Sequence, residues 1–313
     1  MLLVGQRRLQ AEGKGAPGLA APGGAAAAEA AISAVAIPLL QDAGVTHVDA
    51  ACVGAAGMLA APQAARALAR RLCLTLPAAA VAVTSDAITS HAGALGGQPG
   101  VVLAAGTGAV AIAIGPNGVL SRADGWGPRL GDEGGGAWIG LQGLRAAMRA
   151  HDKRAATTSL LRAATERFGA LAEIAAQVEG HPNPPQLAAS FAQDVYRQGA
   201  QGDAVAADII QRAGAHLAET VIAAALRTGS QPMRFAAVGG LLELGPLLTA
   251  PLLAAIQSRL PWLTQTPPEG GALDGALRLA CDHGTVHEKS IMRAAAAPHD
   301  GEAANRRTSN QEG

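Results

Sequence analysis

Aromatic residues are scarce: three Phe, three Trp and one Tyr in 313 positions. A core of this composition has to be packed from Leu, Ile, Val and, above all, alanine. Cysteine is scarce too. Cys52, Cys73 and Cys281 are widely spaced and form no CxxC pair, which argues against a disulfide framework and a zinc site. Ordinary thiols in a reducing cytoplasm are the expectation. No charge of one sign prevails, since Lys+Arg and Asp+Glu stand at 24 each. Overall charge therefore gives no reason to expect nucleic acid or an anionic membrane as partner. The opening run, Met1 to Arg8, is too short in apolar residues for a secretory signal. Ala87 to Ser121 carries no formal charge, yet Pro99, Pro116 and repeated glycines divide it into strands and turns rather than a spanning helix. The chain reads as soluble.

What is present is 49% hydrophobic residues, 15% charged residues and 40 glycines, in a length that exceeds the roughly 100–200 residues of one typical domain. Two lobes are expected. Strands are predicted near 2–4, 48–53, 81–84, 101–105, 110–114 and 235–238. Helices are predicted over 25–43, 62–74, 87–95, 137–150, 158–168, 185–198, 203–227, 246–259 and 271–282. Gly44 is a natural C-terminal cap for the first helix. Alternating strands and helices indicate an α/β fold. Beyond about Val286 polarity rises and periodicity ends, so 286–313 reads as a disordered tail.

Four stretches can carry chemistry. In Val101-Val-Leu-Ala-Ala-Gly106-Thr107-Gly108, a Gly-Thr-Gly turn directly follows a buried strand. Glycines let main-chain amides approach an anion and Thr107 adds a hydroxyl, although an ordinary hairpin turn has the same look. In Gly125-Trp-Gly-Pro-Arg-Leu-Gly-Asp-Glu-Gly-Gly-Gly136, seven of twelve residues are Gly or Pro, which disfavour helix and strand alike. Such a loop can bring backbone close to a ligand. Asp132 and Glu133 offer acceptors for hydroxyls, Trp126 offers an apolar wall or a core filler, and the helix after the loop offers an N-terminus that favours anions. Asp86 follows a strand in Val83-Thr-Ser-Asp86, where helix capping is the commoner role. Phe235-Ala-Ala-Val-Gly239-Gly240 runs a strand into paired glycines.

Together, Gly100-Val-Val-Leu-Ala-Ala-Gly-Thr-Gly and Gly125-Trp-Gly-Pro-Arg-Leu-Gly-Asp-Glu-Gly resemble the N-acetylglucosamine kinase branch of the BadF/BadG/BcrA/BcrD-type ATPases. The order Ser85-Asp86, Gly106-Thr-Gly108, Gly-Asp-Glu-Gly, Gly239-Gly240 agrees, and the similarity covers about residues 10–281. The resemblance implies an actin-like fold of two ribonuclease H-like lobes with ATP and Mg2+ as cofactors. It divides the chain into a first lobe over 1–99 and a second lobe over 100–285 that carries the nucleotide and sugar loops. It also implies roles. Asp86 would take the proton from a sugar hydroxyl as it attacks the γ-phosphate. Gly106, Thr107 and Gly108 would cradle phosphate, and Gly239 and Gly240 would border adenosine. Gly125, Trp126, Gly127 and Asp132 would contact the sugar. No residue is assigned as a metal ligand. The expected protein is a cytoplasmic kinase of an amino sugar or hexose, with a homodimer as its candidate assembly.

Two departures from the family pattern stand out. The family opens on a strand and an Asp-Gly-Gly-Gly-Thr-Lys-type loop, whereas here the first Asp is Asp42 and the first Thr is Thr46. The first lobe is thus expected to be truncated at its amino terminus, with unpaired backbone groups where a sheet strand is missing. Leu19 stands where the family has a sugar-contacting Asn. A competing reading is a catalytically inactive sugar- or nucleotide-binding homologue that acts through a partner. An iron–sulfur activator ATPase, related by fold, would need paired cysteines that this sequence lacks.

Overall fold

The computed structural model describes residues 1–229 and 232–295. The chain forms two compact units, Met1–Gly93 together with the segment from Gly271 onward, and Ala94–Gly270.

The first unit opens on a small hairpin, β1 (Leu2–Val4) against β2 (Arg7–Leu9). Helix α1 (Gly24–Asp42) follows and stops at Gly44, whose φ is 66° and whose amide donates to the Gln41 carbonyl at 3.0 Å. By length and composition α1 is apolar enough to cross a membrane. Here it packs along the next helix, with Ile32, Ala36 and Ile37 on the core. Strand β3 (Val48–Gly54), α2 (Pro62–Thr75) and β4 (Ala78–Thr84) form a parallel β-α-β unit in which Val53 faces Val83. Pro62 suits the first turn of α2, where no amide partner is lost. α3 (Asp86–Ala94) begins one residue after β4.

The second unit holds a five-stranded sheet. β5 (Gly100–Ala105) and β6 (Ala109–Ile114) form a hairpin, and β7 (Leu120–Asp124) adds antiparallel to β6. A helical stretch follows: α4 (Gly136–His151), α5 (Leu160–Phe168), α6 (Leu171–Gly180), α7 (Pro184–Ser190), α8 (Ala192–Ala200) and α9 (Ala204–Leu226). The Asp203 carboxylate caps α9 by accepting the Ala206 amide at 2.9 Å. β8 (Met233–Val238) pairs parallel to β5, and α10 (Pro246–Arg259) leads to β9 (Leu263–Gln265), giving the order β7-β6-β5-β8-β9. β5 lies at the centre and is buried along almost its whole length, which explains its uninterrupted apolar run. All three Phe residues, Phe168, Phe191 and Phe235, lie in this unit's core among Leu, Ile and Ala.

The chain then returns to the first unit. α11 (Ala272–Cys281) packs on β3, and Gly275 sits against the Thr89 carbonyl and the Gly93 amide of α3, an approach that leaves no room for a side chain. β10 (Met292–Ala295) pairs antiparallel to β4, giving the sheet order β10-β4-β3. β3 pairs with β4 alone among the described strands. The sequence-based boundaries at 99 and 285 therefore give way to 93 and 270. The expectation of a disordered tail from 286 is corrected up to residue 295. Met292 and Ala294 pack on the core, and Arg293 binds Glu288 and donates to the Leu279 carbonyl at 2.9 Å. A short strand of small and charged residues carries no periodic signal, and its partner lies about two hundred positions earlier in the chain. Residues 296–313 lie outside the described residues.

His287 anchors this returning segment. It is fully buried, and its Nε2 lies 2.9 Å from Nδ1 of buried His91, while its own Nδ1 has no hydrogen-bond partner. Burial, reinforced by His91, pushes its pKa from 6.5 down to about 3. A histidine kept neutral by the fold stabilises it above the unfolded value. That stability is lost as pH falls from about 6.5 towards about 3, because the unfolded chain then binds a proton that the fold refuses. The expected slope is roughly 1 kcal/mol per pH unit below about pH 6. Thermal unfolding between pH 7.5 and 5 should show His287→Leu with a flatter profile than the wild type. Parallel profiles would remove this role from His287.

Candidate functional site

Four strand ends meet at one margin of the five-stranded sheet. β5 and β8 run parallel with Ala104 facing Val238, so the chain leaves both strands at the same end. β6 begins there, Ala109 facing Ala105, and β7 ends there, Asp124 facing Val110. A cavity of about 390 Å3 results. It is lined by Gly106, Gly108, Gly125, Asp132 and Gly239, with Val110 and Val238 as apolar walls. The volume lies at the small end of the roughly 300–1,000 Å3 typical of ligand pockets, and the strand ends are where open α/β sheets bind ligands. Five residues singled out in three separate stretches of sequence are thereby brought together. Thr107, Trp126, Gly127 and Gly240 belong to the same turns but do not line the cavity.

Asp132 is the cavity's only ionisable lining residue. It adopts a left-handed backbone, φ 57°, uncommon for any residue other than glycine though Asp tolerates it. Its carboxylate lies by the main-chain amides of Gly127 and Ala109, which favour its charged form. Burial first, and then the negative charge of Asp124, raise its pKa above the usual aspartate value despite those two amides. Gly108 lies directly beneath it, where a Cβ would overlap the Asp132 carboxylate.

The Gly-Thr-Gly turn is bonded to α4. Gly136 and Ala137, the first residues of the helix, donate their amides to the carbonyls of Gly106 and Thr107, each at 2.8 Å. The helix N-terminus does lie beside the turn, as the sequence suggests, but these two amides hold the turn instead of an anion. The Gly106 amide is also engaged, with the Gly108 carbonyl at 2.9 Å. Trp126 is 68% exposed, with the Arg122 guanidinium 5.2 Å from its ring centre. It is available as a wall and is not a core filler.

Asp86 belongs to the first unit and is exposed at the start of α3. Its Oδ1 accepts the Ala87 amide at 2.9 Å and the Ser85 hydroxyl at 3.1 Å. This is a local cap made through Oδ1. Leu19, where the family has Asn, is 3% exposed in the first unit's core, and its amide donates to Ala56. Two residues that sequence reasoning passed over hold the glycine-rich loop. Asp124 accepts amides from Asp132 and Glu133, and Arg122 donates to the carbonyls of Asp124 and Gly125. The available signal was their place just before the glycine-rich run, but β7 itself went unpredicted. Among the described residues no group of three or more His, Cys, Asp or Glu forms a metal cage.

The solved structure of a candidate N-acetylglucosamine kinase from Chromobacterium violaceum is 28% identical, with a TM-score of 0.63 over 85% of this chain and 88% of that one. A second such candidate, from Porphyromonas gingivalis, is 18% identical with a TM-score of 0.57, over 80% of this chain and 83% of that one, a likeness of fold. These neighbours share the actin-like ATPase fold expected from the sequence. An N-acetylmuramic acid/N-acetylglucosamine kinase from Clostridium acetobutylicum is 35% identical over 80 residues, 26% of each chain. An N-acetyl-D-glucosamine kinase from Dictyostelium discoideum is 38% identical over 87 residues, 28% of this chain and 27% of that one. Those alignments span about a quarter of each relative's length. The model of the BadF/BadG/BcrA/BcrD ATPase family matches residues 12–260, most of the sequence, and the chain belongs to that family.

Proposed function

We propose that this protein transfers the γ-phosphoryl group of ATP to a hydroxyl of an amino sugar or hexose, with N-acetylglucosamine the first substrate to test. The observation that carries the proposal is the cavity at the strand ends, which gathers glycine backbone from three sequence stretches around one carboxylate. Membership of an ATPase family and similarity to sugar kinases support the same reading. In it, Asp86 accepts the hydroxyl proton as the sugar oxygen bonds to the γ-phosphorus and the bond to ADP breaks. Gly106, Thr107 and Gly108 border the phosphates, Gly239 and Gly240 the adenosine. Gly125, Trp126, Gly127 and Asp132 take the sugar. Mg2+ would come with the nucleotide, since enzymes usually hold it through one or two carboxylates plus substrate phosphates, and it would neutralise phosphate charge. We assign it no ligand in this chain.

The test is release of ADP on a panel of amino sugars and hexoses. The panel matters because Leu19 cannot hydrogen-bond a hydroxyl. Turnover with at least one sugar supports the proposal; none with any sugar overturns it. Asp132→Ala then probes the sugar side. A hydrogen bond to a charged group contributes about 1.5–3 kcal/mol, so sugar affinity should fall roughly tenfold or more. Nucleotide-dependent protection against thermal unfolding should persist, because only a ligand that still binds the native state stabilises it. Unchanged sugar protection would leave Asp132 as a brace of its own loop.

A further inference from the structure

Few side chains hold the glycine-rich loop from Gly125 to Gly136; within it the Leu130 and Gly131 amides donate to the Gly127 carbonyl and the Gly135 amide to the Asp132 carbonyl. Glycine imposes no rotamer and orders at a high entropic cost. The structure closes the loop through a residue just outside it. Asp124, the last residue of β7, turns its carboxylate across the loop: Oδ1 accepts the Asp132 amide at 2.7 Å and Oδ2 accepts the Glu133 amide at 3.1 Å. Both oxygens are thus used on consecutive amides eight and nine positions away. The backbone is shaped for it, since Asp124 adopts φ 58°, a left-handed conformation in which the strand ends and the chain folds back. Arg122 braces the same corner from within β7. Its Nε donates to the Asp124 carbonyl at 3.0 Å and its guanidinium also reaches the Gly125 carbonyl.

We propose that Asp124 is a positioning residue that clamps the main chain of Asp132 and so fixes the Asp132 carboxylate in the cavity. Asp132 has three restraints. Its carboxylate lies by the Gly127 and Ala109 amides, its own amide is held by Asp124, and its carbonyl accepts the Gly135 amide at 3.0 Å. Loss of the clamp frees the residue that lines the cavity, not a distant part of the fold. Separately from the clamp, the Asp124 charge disfavours ionisation of Asp132. The ligand named for the test rests on the sugar kinase reading; the clamp itself does not.

Asp124→Gly isolates the carboxylate, because glycine keeps the left-handed backbone without strain. Asp124→Asn tolerates the same backbone and retains one carbonyl oxygen as acceptor, so it should restore part of the effect. Two readouts are needed. In the ligand-free protein, amide hydrogen exchange at Asp132 and Glu133 should be about tenfold faster in Asp124→Gly, with Asp124→Asn between it and the wild type. In the kinase assay, KM for the sugar should rise about tenfold while KM for ATP and kcat change less than about twofold, as loss of two charge-assisted bonds to a binding loop predicts. Unchanged exchange overturns the clamp. Faster exchange with an unchanged sugar KM overturns the positioning role and leaves a structural one. If the wild type turns over no sugar, the kinase reading falls. Asp124 is then judged by exchange, together with the change in Asp132's carboxyl titration that removal of its charge should bring.

Discussion

Asp86→Asn is expected to lower phosphoryl-transfer turnover by about 10²-fold or more, the usual loss when a general base is removed, with KM for the sugar nearly unchanged. Asn has the shape of Asp and retains a carbonyl oxygen, so the bonds that Oδ1 accepts from the Ala87 amide and the Ser85 hydroxyl can be kept. α3 should therefore start at the same residue, and thermal stability should change little. What Asn cannot do is take up a proton. The measurement is single-turnover ADP formation under saturating sugar and MgATP, paired with unfolding curves. Near-normal turnover in a stable mutant would reduce Asp86 to the first-turn cap that its hydrogen bonds already describe.

Much of the scaffold behind this prediction could be read from local sequence. Apolar runs marked β3, β5, β6 and β8 to within two residues, and only the last four residues of β4. The terminal signals of α1, α2 and α9 are chemical ones that act over one turn: Gly44, Pro62 and Asp203. What escaped was structure whose reason lies elsewhere in the chain. β7 is Leu-Ser-Arg-Ala-Asp, half-exposed at the edge of its sheet, and owes its strand form to β6. α11 and β10 belong to the first unit because Gly93, Gly275 and β4 accept them there, a fact that no local pattern encodes. The predicted helix over 185–198 is two helices, α7 and α8, meeting at buried Phe191.

The site divides along the same line. Gly106, Gly108, Gly125, Asp132 and Gly239 could be chosen from the sequence, because glycine clusters with acids among them are visible in a string of letters. That β5, β6, β7 and β8 bring them to one margin depends on parallel pairing of β5 with β8 across more than a hundred residues. Asp124 illustrates the remainder. As a residue type it is one Asp among many, and only its reach back to two amides separates it from a solvated surface acid.

Gly108→Ala is expected to lower kcat/KM by about 10²-fold. The Cβ would fall on the Asp132 carboxylate, so the carboxylate or the turn must move. Neither is free to do so. The carboxylate is favoured where it lies by two nearby amides, and the turn is fastened to the start of α4 through the Gly106 and Thr107 carbonyls. Displacement of about an ångström in a site built for orientation costs two orders of magnitude in rate, and overpacking of this kind also costs about 1–3 kcal/mol in stability. Gly106→Ala is the matched control. It adds the same methyl two residues earlier on the same turn, where nothing lies within 4 Å of the new atom. That variant should fold with wild-type stability, and any loss it shows should fall on the nucleotide, whose phosphates Gly106 is proposed to border. Steady-state kinetics for both substrates, with unfolding curves for the two variants, separate these effects. Full activity in Gly108→Ala would mean that the Asp132 carboxylate can leave its place without cost, and the sugar-binding role proposed for it would fall as well.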